Sequence, residues 1–182
     1  MTEPVQNFIG DNKRKTEKID CKIYLMSAPC DEHIDVQYNI AEIFNIYFKK
    51  NKRRCRAFTD SKTPINLDNY VKPDVKIICR ESRNDDIPVI VVEILSNSTR
   101  GRDLGIKMKR YAELGVKEYW IITWELTAID IYLLNDNKVY EYYKSYALKS
   151  DEDELKEIVT EFSPPSFPEL KIQLEDVFYI FE

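Results

Sequence analysis

Glu93 stands inside the run Val-Ile-Val-Val-Glu-Ile-Leu (89–95), where every neighbour is apolar. An ionised carboxylate in such surroundings costs several kcal/mol unless it is paired with a cation or holds a metal. A second acid, Asp74, opens the preceding apolar stretch directly after Pro73, which fixes the chain as it enters. Neighbouring strands lie roughly 4.8 Å apart, so two such stretches paired in one sheet bring these acids within a few ångströms. Carboxylates that close repel, and one pKa rises unless a cation neutralises them. Mg²⁺ suits that task because it prefers oxygen ligands and keeps several waters. The residues alone leave a second reading beside this one. Asp74 then caps a turn, and Glu93 pairs with a buried Lys or Arg.

Lys107 is the third candidate. At roughly 100° per residue, Leu104, Met108 and Tyr111 share one helix face, and Lys107 borders it. Lys109 points nearly the opposite way and Arg110 lies further from the stripe. Lys107 is therefore the cation best placed to lean toward Glu93 and to stabilise phosphate charge or orient a water. Its plainer role is an i,i+4 pair with Asp103. His33, the only histidine, begins a helical segment with Gln37 one turn on, so the two could face one cleft as accessory groups. A cap or surface position is the commoner fate of such a histidine. Tyr119, Trp120 and Trp124 fit a core better than a base-stacking surface.

The elements that must position these groups follow from periodicity. Ile19–Met26 alternates as a strand. Asp31–Lys50 reads as an amphipathic helix, with Val36, Ile40, Ile43, Phe44 and Tyr47 at helical spacing and acids in its first turn. Arg54–Thr59 is a short strand, and a turn-rich connection leads to strands at Val75–Cys79 and Pro88–Leu95, joined by the polar turn ESRNDD. A helix over about Arg102–Leu114 ends at Gly115. Strands follow at Glu118–Thr123, Ala128–Leu134 and Val139–Tyr143, the last two as a hairpin about Asn135–Asn137. The acidic run 151–160 reads as an insertion or short helix, and FPELKIQLEDVF as a short strand and a final helical turn. The expected fold is α/β or α+β, a sheet flanked by helices. With 182 residues, 43% hydrophobic, the chain can bury one core but not two, so a single domain over 1–182 is expected, with 1–18 as a frayed arm.

Composition narrows the function. No apolar run approaches the roughly 20 residues of a membrane helix, and the N-terminus lacks a signal-peptide stretch, so a cytoplasmic protein without a membrane partner is expected. Cys21, Cys30, Cys55 and Cys79 form no CxxC pair, and reduced thiols are expected rather than zinc or disulfides. The net charge of −5 argues against a strongly basic nucleic-acid binder but allows an enzyme with a local basic patch. The densest such patch, Lys49, Lys50, Lys52, Arg53, Arg54 and Arg56, reads first as a solvated helix end and second as a phosphate contact.

The run VKPDVKIIC, followed by IPVIVVEILSNSTRGRDLGIKMKRYAELGVKEYWII, resembles the Uma family of restriction-endonuclease-like proteins in the PD-(D/E)XK nuclease superfamily. IDCKIYLMSAPCDEH is similar to the family's opening strand, loop and histidine-bearing helix start, and FPELKIQLEDVF to its ending. The resemblance runs from about Ile19 onward, and D-x-x-x-K-x-x-x-Y followed by GV-x-EYW is its most specific part. It implies a restriction-endonuclease-like core, a mixed central sheet flanked by helices, in which Asp74 and Glu93 bind Mg²⁺ or Mn²⁺ for phosphodiester hydrolysis, with DNA as substrate and, by analogy, a homodimer. The superfamily's lysine two residues after the acid is replaced here by Leu95, and the resemblance moves that role to Lys107. His33 matches the family's helix-start histidine, with no role attached. A catalytically silent module that binds nucleic acid or protein is the alternative, and an enzyme cleaving RNA or small nucleotides is a third.

Overall fold

The computed structural model describes residues 16–80, 87–96, 98–148 and 160–181. Most of the expected arm, the ESRNDD turn and the acidic run at 151–159 lie outside these residues.

The alternating stretch near the N-terminus is a hairpin rather than one strand. β1 (Thr16–Ile19) and β2 (Lys22–Leu25) pair antiparallel, and Asp20 and Cys21 make the two-residue turn with φ of 50° and 63°. Positive φ at both central residues matches the right-handed twist of the flanking strands. Residues 16–18, expected to belong to a frayed arm, are thus ordered strand. A small sheet forms in the order β2-β1-β5-β4, with β4 at Thr63–Pro64 and β5 at Tyr70–Val71.

The long helix α1 spans Asp31–Lys50, as its periodicity required. Behind it, six strands form the main sheet in the order β10-β9-β8-β7-β6-β3. Their ranges are β3 Cys55–Thr59, β6 Val75–Cys79, β7 Ile90–Ile94, β8 Glu118–Thr123, β9 Ala128–Leu134 and β10 Tyr140–Ala147. All neighbours run antiparallel except β7 and β8. That parallel pair needs a crossover, which α2 supplies: three consecutive helical pieces at Arg100–Arg102, Asp103–Lys107 and Met108–Leu114, the middle one a π-helical turn. Gly115 ends α2 at φ 93°, where its N–H reaches the carbonyls of Tyr111 and Ala112. The tail adds β11 (Glu161–Phe162), β12 (Ile172–Gln173) and a helical turn α3 (Leu174–Val177).

The sheet is covered on both faces, so β7 reads as an unbroken apolar run. Ile90, Val92 and Ile94 face α1 with Val36, Ile40, Phe44 and Trp120, while Val91 and Leu95 face α2 with Tyr111, Tyr119 and Ile121. Trp120 and Tyr119 are core residues as expected, and Trp124 packs half-buried against the first cluster. Among the described residues no helix is long and apolar enough to cross a membrane. The mixed sheet flanked by helices bears out the fold class.

One expectation about the cysteines is overturned. Cys55 and Cys79 are directly opposed on β3 and β6 and form a disulfide, while Cys21 and Cys30 are free and exposed. The spacing carried no hint of this, because the register that faces the two residues is a property of the sheet. The bond closes a loop between positions 24 apart. Reduction, or Cys55→Ser with Cys79→Ser, is expected to lower stability by about 3 kcal/mol through the freed chain entropy of the unfolded state. Urea unfolding with and without dithiothreitol reads this directly. Coincident curves would show that the bridge contributes nothing.

Candidate active site

Strand alternation decides which way the two acids point. Val75 pairs with Val92 and Lys76 with Val91, so one step further Asp74 stands opposite Glu93, both on the α2 side of the sheet. Asp74 and Glu93 line one cavity together with His33, Gln37, Asp103 and Lys107. The loop from Met26 to Cys30 and Trp124 also line it.

Asp74 sits where the two layers meet. Its Oδ2 accepts the Ile94 N–H at 2.7 Å, and His33 Nε2 lies 3.2 Å from its Oδ1. Gln37 donates through Nε2 to the Asp74 carbonyl at 2.9 Å. His33 and Gln37, one turn apart on α1, therefore do share the cleft, and both act on Asp74.

Lys107 is 2% exposed, and its Nζ lies 2.7 Å from Glu93 Oε1, 3.1 Å from Asp103 Oδ1 and 3.2 Å from Glu17 Oε1. The expected lean toward Glu93 and the plainer pair with Asp103 both occur. Tyr111 donates its hydroxyl to the same Glu93 oxygen at 2.7 Å, and Tyr119 donates to the Asp103 carbonyl at 2.9 Å. Glu17 also accepts the Lys72 N–H at 2.9 Å, which ties the N-terminal hairpin to the chain just before Asp74.

The π turn explains how so many charged groups fit beneath one helix. A π turn packs more than four residues into each turn, so Asp103, Lys107 and Tyr111 fall on one buried line. The uniform spacing of 100° gave Leu104 to that face. It is instead 41% exposed, with Asp103 buried in its place.

Burial pushes the Glu93 carboxyl well above the usual range; Lys107 opposes this, while Asp103, Asp74 and Glu17 add to it. Asp103 is raised for the same first reason, against the pull of Lys107. Burial alone would lower Lys107, but Glu93, Asp103, Glu17 and Asp74 outweigh it and hold the ammonium charged. The cluster is thus four carboxylates about one lysine, with burial disfavouring the charged forms of Glu93 and Asp103. Asp103 Oδ1 is buried without a well-aligned hydrogen bond, despite its closeness to Lys107.

Among the described residues, no three His, Cys, Asp or Glu side chains are arranged as a metal cage. What the donors fit is the sparser kind of site that Mg²⁺ accepts, one or two carboxylates with the remaining positions left to water and phosphate. Excess negative charge and a misaligned buried oxygen agree with that chemistry. The basic patch lies elsewhere: Lys49 and Lys50 end α1, about 30 Å along the helix from its start at the cavity, and Arg53 pairs with Glu169 at 2.9 Å. That supports a solvated helix end. Glu17 and Asp103 were missed as site members. Glu17 lay in a stretch that read as frayed, and Asp103 read only as a surface partner of Lys107.

A search of curated proteins finds an uncharacterized protein of Synechocystis sp. that is 29% identical over 158 residues, covering 83% of this chain and 82% of its own length. Among solved structures, the crystal structure of a "putative nuclease belonging to DUF820" from Anabaena variabilis matches with a TM-score of 0.68 at 20% identity, covering 90% of this chain and 89% of that one. At that identity the likeness speaks for the fold. The Uma2 family, described as "Putative restriction endonuclease", matches residues 7–173, nearly the whole chain. This chain belongs to the Uma2 family.

Proposed function

We propose that the chain is a metal-dependent endonuclease that hydrolyses phosphodiester bonds, with DNA as its substrate and Mg²⁺ or Mn²⁺ as its cofactor. The observation that carries this reading is the convergence of Asp74 and Glu93 on one cavity, from opposed strand positions, with the ammonium of Lys107 buried against Glu93. Asp74 and Glu93 would hold the ion. A divalent ion there supplies charge neutralisation at a phosphoryl oxygen and makes water acidic enough to attack near neutral pH.

The chain's own groups do the positioning. Lys107 and Tyr111 fix Glu93 from one side and keep a buried carboxylate in place. Gln37 and the Ile94 N–H fix Asp74 from the other, and His33 shields its outer oxygen. Lys107 is also the one Lys or Arg among the described residues lining the cavity and would face a phosphate bound there. Ser96, Ser98 and Thr99 bring hydroxyls to its wall, and exposed Arg100 follows them at the start of α2. Pairing of two chains would bring two such centres to one duplex, and the protein would work in the cytoplasm.

One observation favours a silent, binding-only reading: Lys107 already has three carboxylate partners, and no preformed cage stands beside it. Incubation with DNA, RNA and small nucleotides in Mn²⁺ or Mg²⁺, alongside calorimetric titration of the ion, separates the two. The expected result is ion-dependent cleavage of DNA, reduced at least about 100-fold by Asp74→Ala. Neither ion binding nor cleavage would leave the binding-only reading. Cleavage confined to RNA or nucleotides would replace the substrate.

A further inference from the structure

The outward face of α1 carries a pattern that the cavity does not use. Asp31, Ile34, Tyr38, Glu42, Ile46 and Lys49 follow one another at spacings of three, four, four, four and three, which keeps them on one stripe of the helix. Three of them are large hydrophobic side chains left in water: Tyr38 is 68% exposed, Ile46 59% and Ile34 43%. Turned end for end, the stripe meets its own complement. In an antiparallel pair of α1 helices, Ile34 falls against Ile46, the Tyr38 hydroxyl against the Glu42 carboxylate, and Asp31 against Lys49. The two-fold axis passes between Tyr38 and Glu42, so no like charges meet. Each contact occurs twice, as an isologous interface requires.

The surroundings of the stripe are built to receive a second helix. A groove runs along each side of it, one between α1 and the edge strand β3, the other between α1 and the C-terminal tail. Helix ridges seat in such grooves. Both walls are pinned by asparagines of α1. Asn45 exchanges two hydrogen bonds with the backbone of Ala57 on β3, and Asn39 donates to the carbonyls of Val177 and Tyr179. The first of these also occupies the backbone groups of Ala57 that an added strand would use, which leaves the helix stripe rather than the β3 edge as the contact surface. Tyr179, 63% exposed beside the second groove, extends the apolar area.

We propose that a second copy of this chain docks on this face, α1 against α1 in antiparallel register, to form a two-fold dimer. The inference names the surface for the pairing proposed above but uses none of the cavity residues, so the dimer and the cleavage activity stand or fall in separate experiments. Sedimentation velocity of the full chain tests it, with circular dichroism confirming that each variant keeps its helix. The wild type is expected to sediment as a dimer whose dissociation constant rises at least about 100-fold in Ile46→Glu, which sets a carboxylate against the apolar Ile34 of the second copy at both ends of the contact. Lys49→Glu alone is expected to weaken it about tenfold, and adding Asp31→Lys in the same chain to restore it, because the swap recreates the opposite-charge pair. A wild type that stays monomeric overturns the proposal and leaves the stripe to a different partner. So does a dimer indifferent to Ile46→Glu, or a double reversal no tighter than the single one.

Discussion

Replacing Lys107 with methionine is expected to destabilise the fold by about 3–5 kcal/mol, because it leaves a buried anionic cluster with no cation inside it. Methionine matches the length and volume of the lysine stem, so little of the loss comes from a void. It comes from Glu93, Glu17 and Asp103, each now lacking the ammonium that lies within 3.2 Å in the wild type. Domains of this kind are stable by about 5–15 kcal/mol in total, so the variant is expected at the margin of folding at neutral pH. The deficit should depend on pH, with a definite sign. Glu93 is already raised by burial, and losing Lys107 raises it further. A carboxyl whose folded pKa lies above its unfolded one contributes stability that is present below the unfolded pKa and lost as pH rises through the folded pKa. The gap between Lys107→Met and wild type should therefore be small in acid, where Glu93 carries its proton, and widen toward neutrality. Urea unfolding of both proteins across that range measures it. A gap below about 1 kcal/mol at every pH would mean that the carboxylates do not depend on this cation.

The sequence made some of this architecture readable and hid the rest for physical reasons. α1, β6, β8 and β9 fall where periodicity and turn residues placed them, because one buried face per element leaves a clear pattern. Glu93 announced itself by chemistry, as a charge inside an apolar strand. Lys107 could be chosen over Lys109 and Arg110 from helix geometry alone. The π turn escaped that geometry, since a local change of helical pitch leaves no signature in residue types, and with it went Asp103 as a buried group and Leu104 as an exposed one. Glu17 was invisible for a different reason. A single acid in a polar stretch becomes a site residue only when β1 pairs with β2 and β5 and carries it beneath α2. The Cys55–Cys79 bridge likewise depends on the β3–β6 register. Long-range pairing decides the last two features, and local pattern cannot show it.

Glu93→Gln is expected to separate function from stability in a way that Lys107→Met cannot. The substitution keeps the shape of the side chain and removes one negative charge from a cluster that has too many. Tyr111 can still donate to the amide oxygen, and Lys107 keeps Asp103 at 3.1 Å and Glu17 at 3.2 Å as partners. Relief of the burial cost on Glu93 offsets the loss of its short contact with Lys107, so stability should stay within about 1 kcal/mol of wild type. An amide is a far poorer ligand for Mg²⁺ than a carboxylate, because it brings no charge to a hard cation. The wild type is expected to gain melting temperature from Mn²⁺ or Mg²⁺ and the variant is not, and ion-dependent cleavage should fall by about 100-fold or more. The two readouts guard each other. A stable Glu93→Gln protein that still gains melting temperature from Mn²⁺ would remove Glu93 from the ligand set even if cleavage fell. A variant that loses several kcal/mol would show Glu93 to be a structural counter-ion of Lys107, the plainer of the two roles its sequence position allowed.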